Sequence, residues 1–134
     1  MELVHTLHLY NVYLVLTSAA ITGIWGLVLF FTRKEMSAIP KSWRIMLIVV
    51  GLLGVLQALF GIIMALSGLK PGGGHDPDHY YLHYVYGGIV ALGLPVAMTY
   101  ATSGKQPRRD VLIYSIALLI MAAAAVRAFM TGAS

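Results

Sequence analysis

The sequence predicts an all-α membrane protein: a four-transmembrane antiparallel helix bundle, one domain over residues 1–134, with both termini on the outer side. Three observations carry that expectation. Hydrophobic residues make up 59% of the chain and charged residues only 10%, against about 25% charged in an ordinary soluble domain. Four apolar runs, at residues 7–32, 43–68, 78–102 and 111–130, are each long enough to cross a bilayer, which takes roughly 20 residues. The connectors between them are short and polar, so successive spans must run antiparallel.

The first run begins after Met1-Glu2, which supplies no basic segment, and it is too long for the apolar part of a signal peptide. It is expected to persist as a span. The second follows a connector holding Pro40 and carries Gly51, Gly54, Ala58, Gly61, Ala65 and Gly68 at spacings of three and four, a stripe of small residues down one face. Such a stripe lets a neighbouring backbone approach closely or leaves room for a flat ligand. The third follows Pro71-Gly72-Gly73-Gly74, with Asp76 and Asp78 as candidate N-caps and Pro77 near its first turn. Pro95 is expected to bend it. The fourth follows Gly104 and Pro107 and contains the run Ala122 to Ala125.

Orientation follows from the positive residues. Arg33, Lys34, Lys41 and Arg44 border the first connector and Lys105, Arg108 and Arg109 the third, whereas Glu2, Asp76 and Asp78 lie at the other end with Lys70 and Arg127. Basic loops stay in the cytoplasm, which predicts a multi-pass protein of the bacterial cytoplasmic membrane. The net charge of +4 is therefore a topology signal, and the lipid bilayer rather than nucleic acid is the expected partner. The chain has no cysteine, which excludes disulfides, iron–sulfur clusters, thiolate zinc sites and covalently attached haem. No Ser/His/Asp nucleophile set, phosphate-binding glycine loop or intramembrane carboxylate pair is visible. A stand-alone enzyme is less expected than an electron-transfer or ligand-binding protein.

All five histidines fall at the outer end: His5 and His8 on the first helix, and His75, His79 and His83 leading into the third. In an up-down-up-down bundle these two helices are diagonal partners, so inward histidines on them approach one axis from opposite sides. Low-spin haem iron needs two imidazoles arranged in that way. His8 and His83 are the favoured ligands, with His5 and His79 as alternates, and haem b as the cofactor. Arg127 should reach the same level and pair with haem propionates, or snorkel to lipid phosphate. Gln57 beside the small-residue stripe needs a buried hydrogen-bond partner, and Gly87, one turn after His83, leaves space under a macrocycle. The tyrosines crowding the outer layer read as an interfacial belt.

Two stretches resemble the haem A synthase family, whose eight-helix members contain two related four-helix halves. Gln57-Ala58-Leu59-Phe60-Gly61 is similar to that family's Q-x-x-x-G, and Leu82-His83 is followed by Gly87 one turn later. Glu2-Leu3-Val4-His5 has the spacing of its E-x-x-H element. The resemblance implies an axial haem ligand at His83 and a partner or substrate-side histidine at His5. No arginine follows His5, which leaves His8 the better helical ligand. One four-helix unit implies the simpler activity of a b-type cytochrome transferring single electrons, with a quinone or another redox partner, and a homodimer or larger membrane complex as its assembly. Two further readings stay open: an accessory or assembly subunit of a respiratory or photosynthetic complex, and a divalent-metal binder using His75, Asp76 and His79.

Overall fold

In a computed structural model the chain is all-helical. The structure describes the backbone of residues 1–74 and 77–133, and the side-chain environments of these except 72, 73, 77–79 and 133. The order is α1 (Glu2–Thr32), α2 (Lys41–Leu66), a 3-10 turn (Pro71–Gly74), α3 (Pro77–Tyr100) and α4 (Pro107–Ala133). All four α-helices are long and apolar enough to cross a membrane. The boundaries differ most from those expected at two helix starts. α1 begins at Glu2 instead of residue 7, so His5 is helical. α4 begins at Pro107 instead of residue 111, because proline suits the first helical position, where no N–H is needed.

The helices are arranged in a ring. α1 packs along α2 and α4, α3 packs along the same two, and α1 and α3 therefore face each other across the diagonal. Most large apolar side chains point outward: Leu14, Ile21, Ile48, Leu52, Leu59 and Ile120 are all exposed. Lipid is as apolar as these residues, so little is gained by burying them, and close approach of backbones takes over as the source of packing energy. The interior accordingly holds small residues, among them Ala19, Ala122, Ala124, Ala125 and Ala128. A Cβ built on Gly54 would stand 3.2 Å from the Val90 carbonyl oxygen, which shows how closely α2 approaches α3.

One bulky residue anchors the end opposite the histidines. Trp43 is fully buried, and its Nε1 donates to the Thr22 carbonyl at 2.9 Å, pinning α2 to α1. Gly26 makes room for it: a Cβ there would lie 2.8 Å from Trp43 Cζ2 and would collide with the Ser115 hydroxyl of α4. Arg108 closes the same end. Its Nε donates to the Phe30 carbonyl at 3.0 Å, one of the carbonyls that the end of α1 leaves unpaired, while its guanidinium lies 3.8 Å over the Phe30 ring.

The α3–α4 connector turns through Ser103 and Gly104, both with positive φ (56° and 85°). Asp110, 1% exposed in the first turn of α4, holds this turn in place. Its carboxylate accepts from the N–H of Thr102 at 2.8 Å, the Thr102 hydroxyl at 2.9 Å and the N–H of Gly104 at 2.9 Å. Asp110→Ala strands those donors and is expected to cost about 1–3 kcal/mol. Thermal unfolding in detergent measures it, and an unchanged midpoint would remove Asp110 as the organiser of the connector.

Candidate functional site

The inward face of α1 runs through His8, Asn11, Val12 and Val15, spaced three to four residues apart, and the last three are buried. On α3 the buried set Val90, Leu94 and Ala97 continues back by whole turns to His83. Both histidines thus belong to the faces their helices turn toward the bundle. Their rings meet with centroids 6.2 Å apart and planes tilted by 58°. The diagonal arrangement expected from helix order therefore places these two imidazoles side by side.

Each ring is held differently. His83 Nδ1 lies 2.7 Å from the Ala128 carbonyl oxygen of α4, and because a carbonyl only accepts, the Nδ1 proton is donated to it. Nε2 of His83 then carries a free lone pair. His83 also presses on Gly132, where a Cβ would stand 2.7 Å from its Cε1 and 2.8 Å from its Nδ1. His8 Nε2 is 3.4 Å from the side-chain nitrogen of Gln57, while its own Nδ1 is buried without a hydrogen-bond partner among the described residues. Gln57 donates in addition to the His8 carbonyl at 3.1 Å, and Asn11 donates to Gln57 Oε1 at 2.8 Å and to the Leu53 carbonyl at 3.0 Å.

The remaining expected residues divide into those at the pair and those beside it. Gly61 touches His8, since a Cβ there would stand 3.6 Å from its Cε1. Gly87 faces open space, with nothing within 4 Å of an added Cβ, and Gly88 is the same. Arg127 adjoins Ala128, the residue that binds His83, and so lies at the predicted level; its side chain is exposed, with the guanidinium 5.7 Å over the Tyr86 ring. His5 is exposed one turn nearer the end of α1. His75, Asp76 and the side chain of His79 lie outside the described residues, so the alternate ligand His79 and the divalent-metal cluster have no described geometry. Asn11, Ala128 and Gly132 are members of the site that sequence reasoning did not single out. Asn11 had a usable signal, a polar side chain inside a span three residues after a histidine; Ala128 and Gly132 contribute a carbonyl and a missing side chain, which leave no mark in sequence.

His8 and His83 are the described residues that could hold a haem iron, their ring centroids lying 6.2 Å apart. A metal-binding histidine usually donates its other ring N–H to a carbonyl or carboxylate, as His83 does to Ala128. Among the described residues no three His, Asp, Glu or Cys side chains converge on a metal position.

The contact between His83 and Gly132 is open to a direct test. Gly132→Ala is expected to force the ring away from the Ala128 carbonyl and to cost about 1–3 kcal/mol through overpacking. Gly87→Ala, placed in open space on α3, serves as the control that leaves the fold intact. Thermal unfolding of both variants in detergent reads the difference, and equal midpoints would show that His83 is not fixed by α4. Comparison with protein-family models, curated proteins and solved structures finds no match to this chain.

Proposed function

We propose that the protein is a b-type membrane cytochrome, binding haem b between His8 and His83 near the outer surface of a bacterial cytoplasmic membrane and passing single electrons. The observation that carries this reading is the His8–His83 pair itself, 6.2 Å between centroids, with His83 Nδ1 bonded to the Ala128 carbonyl at 2.7 Å. The resemblance of Gln57 to Gly61 and of Leu82-His83 to one half of a haem A synthase supports the same cofactor.

Bound there, haem supplies a one-electron iron couple, and iron with two imidazole ligands favours electron transfer over oxygen binding. The chain's own contribution is positional. Ala128 orients His83, Gln57 holds the His8 turn of α1 against α2, and Gly61 and Gly87 carry no side chain into the space around the two rings. Arg127 offers a guanidinium at the right level for bidentate pairing with propionates. The basic residues at the opposite end, Arg33, Lys34, Lys41, Arg44, Lys105 and Arg109, are exposed and support a cytoplasmic placement of that end. The histidine end then faces outward, where a quinone or an external redox protein has access.

The test is the visible spectrum of detergent-purified protein from haem-replete cells, oxidised and dithionite-reduced, beside His83→Ala. A sharp low-spin b-type spectrum is expected, abolished in the folded variant. Colourless, folded wild-type protein would overturn the proposal and favour an accessory subunit of a larger membrane complex.

A further inference from the structure

We infer that Asn11 and Gln57 are positioning residues that set the tautomer of His8, leaving its Nε2 without a proton, the same state that the Ala128 carbonyl imposes on His83. The functional meaning of this inference rests on the cytochrome reading; its physical content does not.

Along this run of polar contacts every donor must face an acceptor. Asn11 Nδ2 can only donate, and it lies 3.0 Å from the Leu53 carbonyl and 2.8 Å from the end of Gln57. The Gln57 atom opposite must therefore be its oxygen. That choice turns the Gln57 nitrogen toward α1, where one hydrogen goes to the His8 carbonyl at 3.1 Å and the other faces His8 Nε2 at 3.4 Å. A protonated Nε2 would set two donors against each other, so the ring proton belongs on Nδ1. Asn11 is 4% exposed and Gln57 9%, which keeps water from substituting for either amide.

The 3.4 Å separation is as informative as the direction. It lies well beyond the usual 2.9–3.0 Å of a hydrogen bond from nitrogen, so the lone pair on Nε2 is oriented but little consumed. A Lewis acid arriving at that nitrogen has only a weak contact to displace. In both histidines the proton then sits on Nδ1 and the lone pair on Nε2, the nitrogen through which coordination would run.

The test uses the full chain in detergent, labelled with 15N-histidine and free of haem, with ring-nitrogen NMR assigned by comparison with His8→Ala and His83→Ala. In the wild type both histidines are expected to be protonated at Nδ1. Gln57→Leu removes the donor, and His8 alone loses its preference. Asn11→Asp keeps the size but offers Gln57 an acceptor, so the amide turns over and the His8 proton moves to Nε2; this variant serves if Gln57→Leu does not fold. A wild-type His8 protonated at Nε2, or a tautomer unchanged in the folded variants, would overturn the inference. In haem titration Gln57→Leu is expected to bind about 10–100-fold more weakly, the usual cost of losing an outer-shell partner. If the tautomer responds while wild-type protein takes up no haem, the positioning role stands and the cytochrome reading fails; haem uptake with an unresponsive tautomer gives the reverse.

Discussion

Inside a bilayer a polar side chain has no water to turn to, and this constraint shapes three of the four junctions between neighbouring helices. Among the described residues five side chains cross from one helix to a main-chain carbonyl of another: Trp43 to Thr22, Asn11 to Leu53, Gln57 to His8, His83 to Ala128 and Arg108 to Phe30. Carbonyls on a helix keep a second lone pair after their own helical bond, so they can accept without unwinding the chain. Interhelical bonds of this kind average only about 0.6 kcal/mol in membranes. Their main effect is therefore register: each fixes the height of one helix against its neighbour, and the close fit of small residues supplies the bulk of the packing energy.

The polar bonds divide into two groups with an apolar waist between them. Trp43, Thr22, Arg108 and Phe30 lie toward the end carrying the basic residues, and His8, Asn11, Gln57 and His83 toward the end carrying both termini. Between them the bundle is packed from Val15, Ala19, Leu118 and Met121. The division follows from helix length. α1 has 31 residues, about 46 Å at 1.5 Å per residue, against a hydrocarbon core of about 30 Å. Its ends reach the headgroup region, where a buried imidazole is cheaper than at mid-depth, and a redox centre placed there is one short step from a partner outside the membrane.

The spans, their antiparallel order and the diagonal relation of α1 to α3 were legible in sequence because each depends on length and hydropathy, which a bilayer imposes directly. That order set histidines on diagonal helices, depth in the span favoured His8 and His83 over His5 and His79, and the rings of those two lie 6.2 Å apart. The inward face of each helix was harder to read, because a helix that is apolar all round has no polar side to mark solvent. The small-residue stripe on α2 was a sound guide at Gly54 against Val90 and at Gly61 against His8. The run Ala122 to Ala125 was noted only as part of a span, yet α4 is the most buried of the four spans and supplies the carbonyl that orients His83. Asn11 was passed over within a long apolar run, although its cost of burial without a partner marks it as firmly as a charge would. The start of α4 was misplaced for a different reason: Asp110 looked like part of a connector, and it is a helical residue reaching back to bind one.

The two sides of the histidine pair are unequal. His83 is fixed by a 2.7 Å bond to a main-chain carbonyl and by contact with the backbone at Gly132, so its ring moves only if α4 moves. His8 is fixed by a 3.4 Å contact to a side chain whose own position depends on Asn11, and its Nδ1 has no partner among the described residues. A charge-free bond to a rigid acceptor and a long contact to a two-residue relay differ in stiffness more than in energy, since each is worth on the order of 1 kcal/mol at most. On the cytochrome reading His83 is then the permanent ligand and His8 the adjustable one. The bond between Gln57 and the His8 carbonyl holds the backbone of that turn, and the longer contact to the ring would yield to a metal ion. The protein spends its strong contacts on the helices and leaves the last adjustment of the site to one weakly held imidazole.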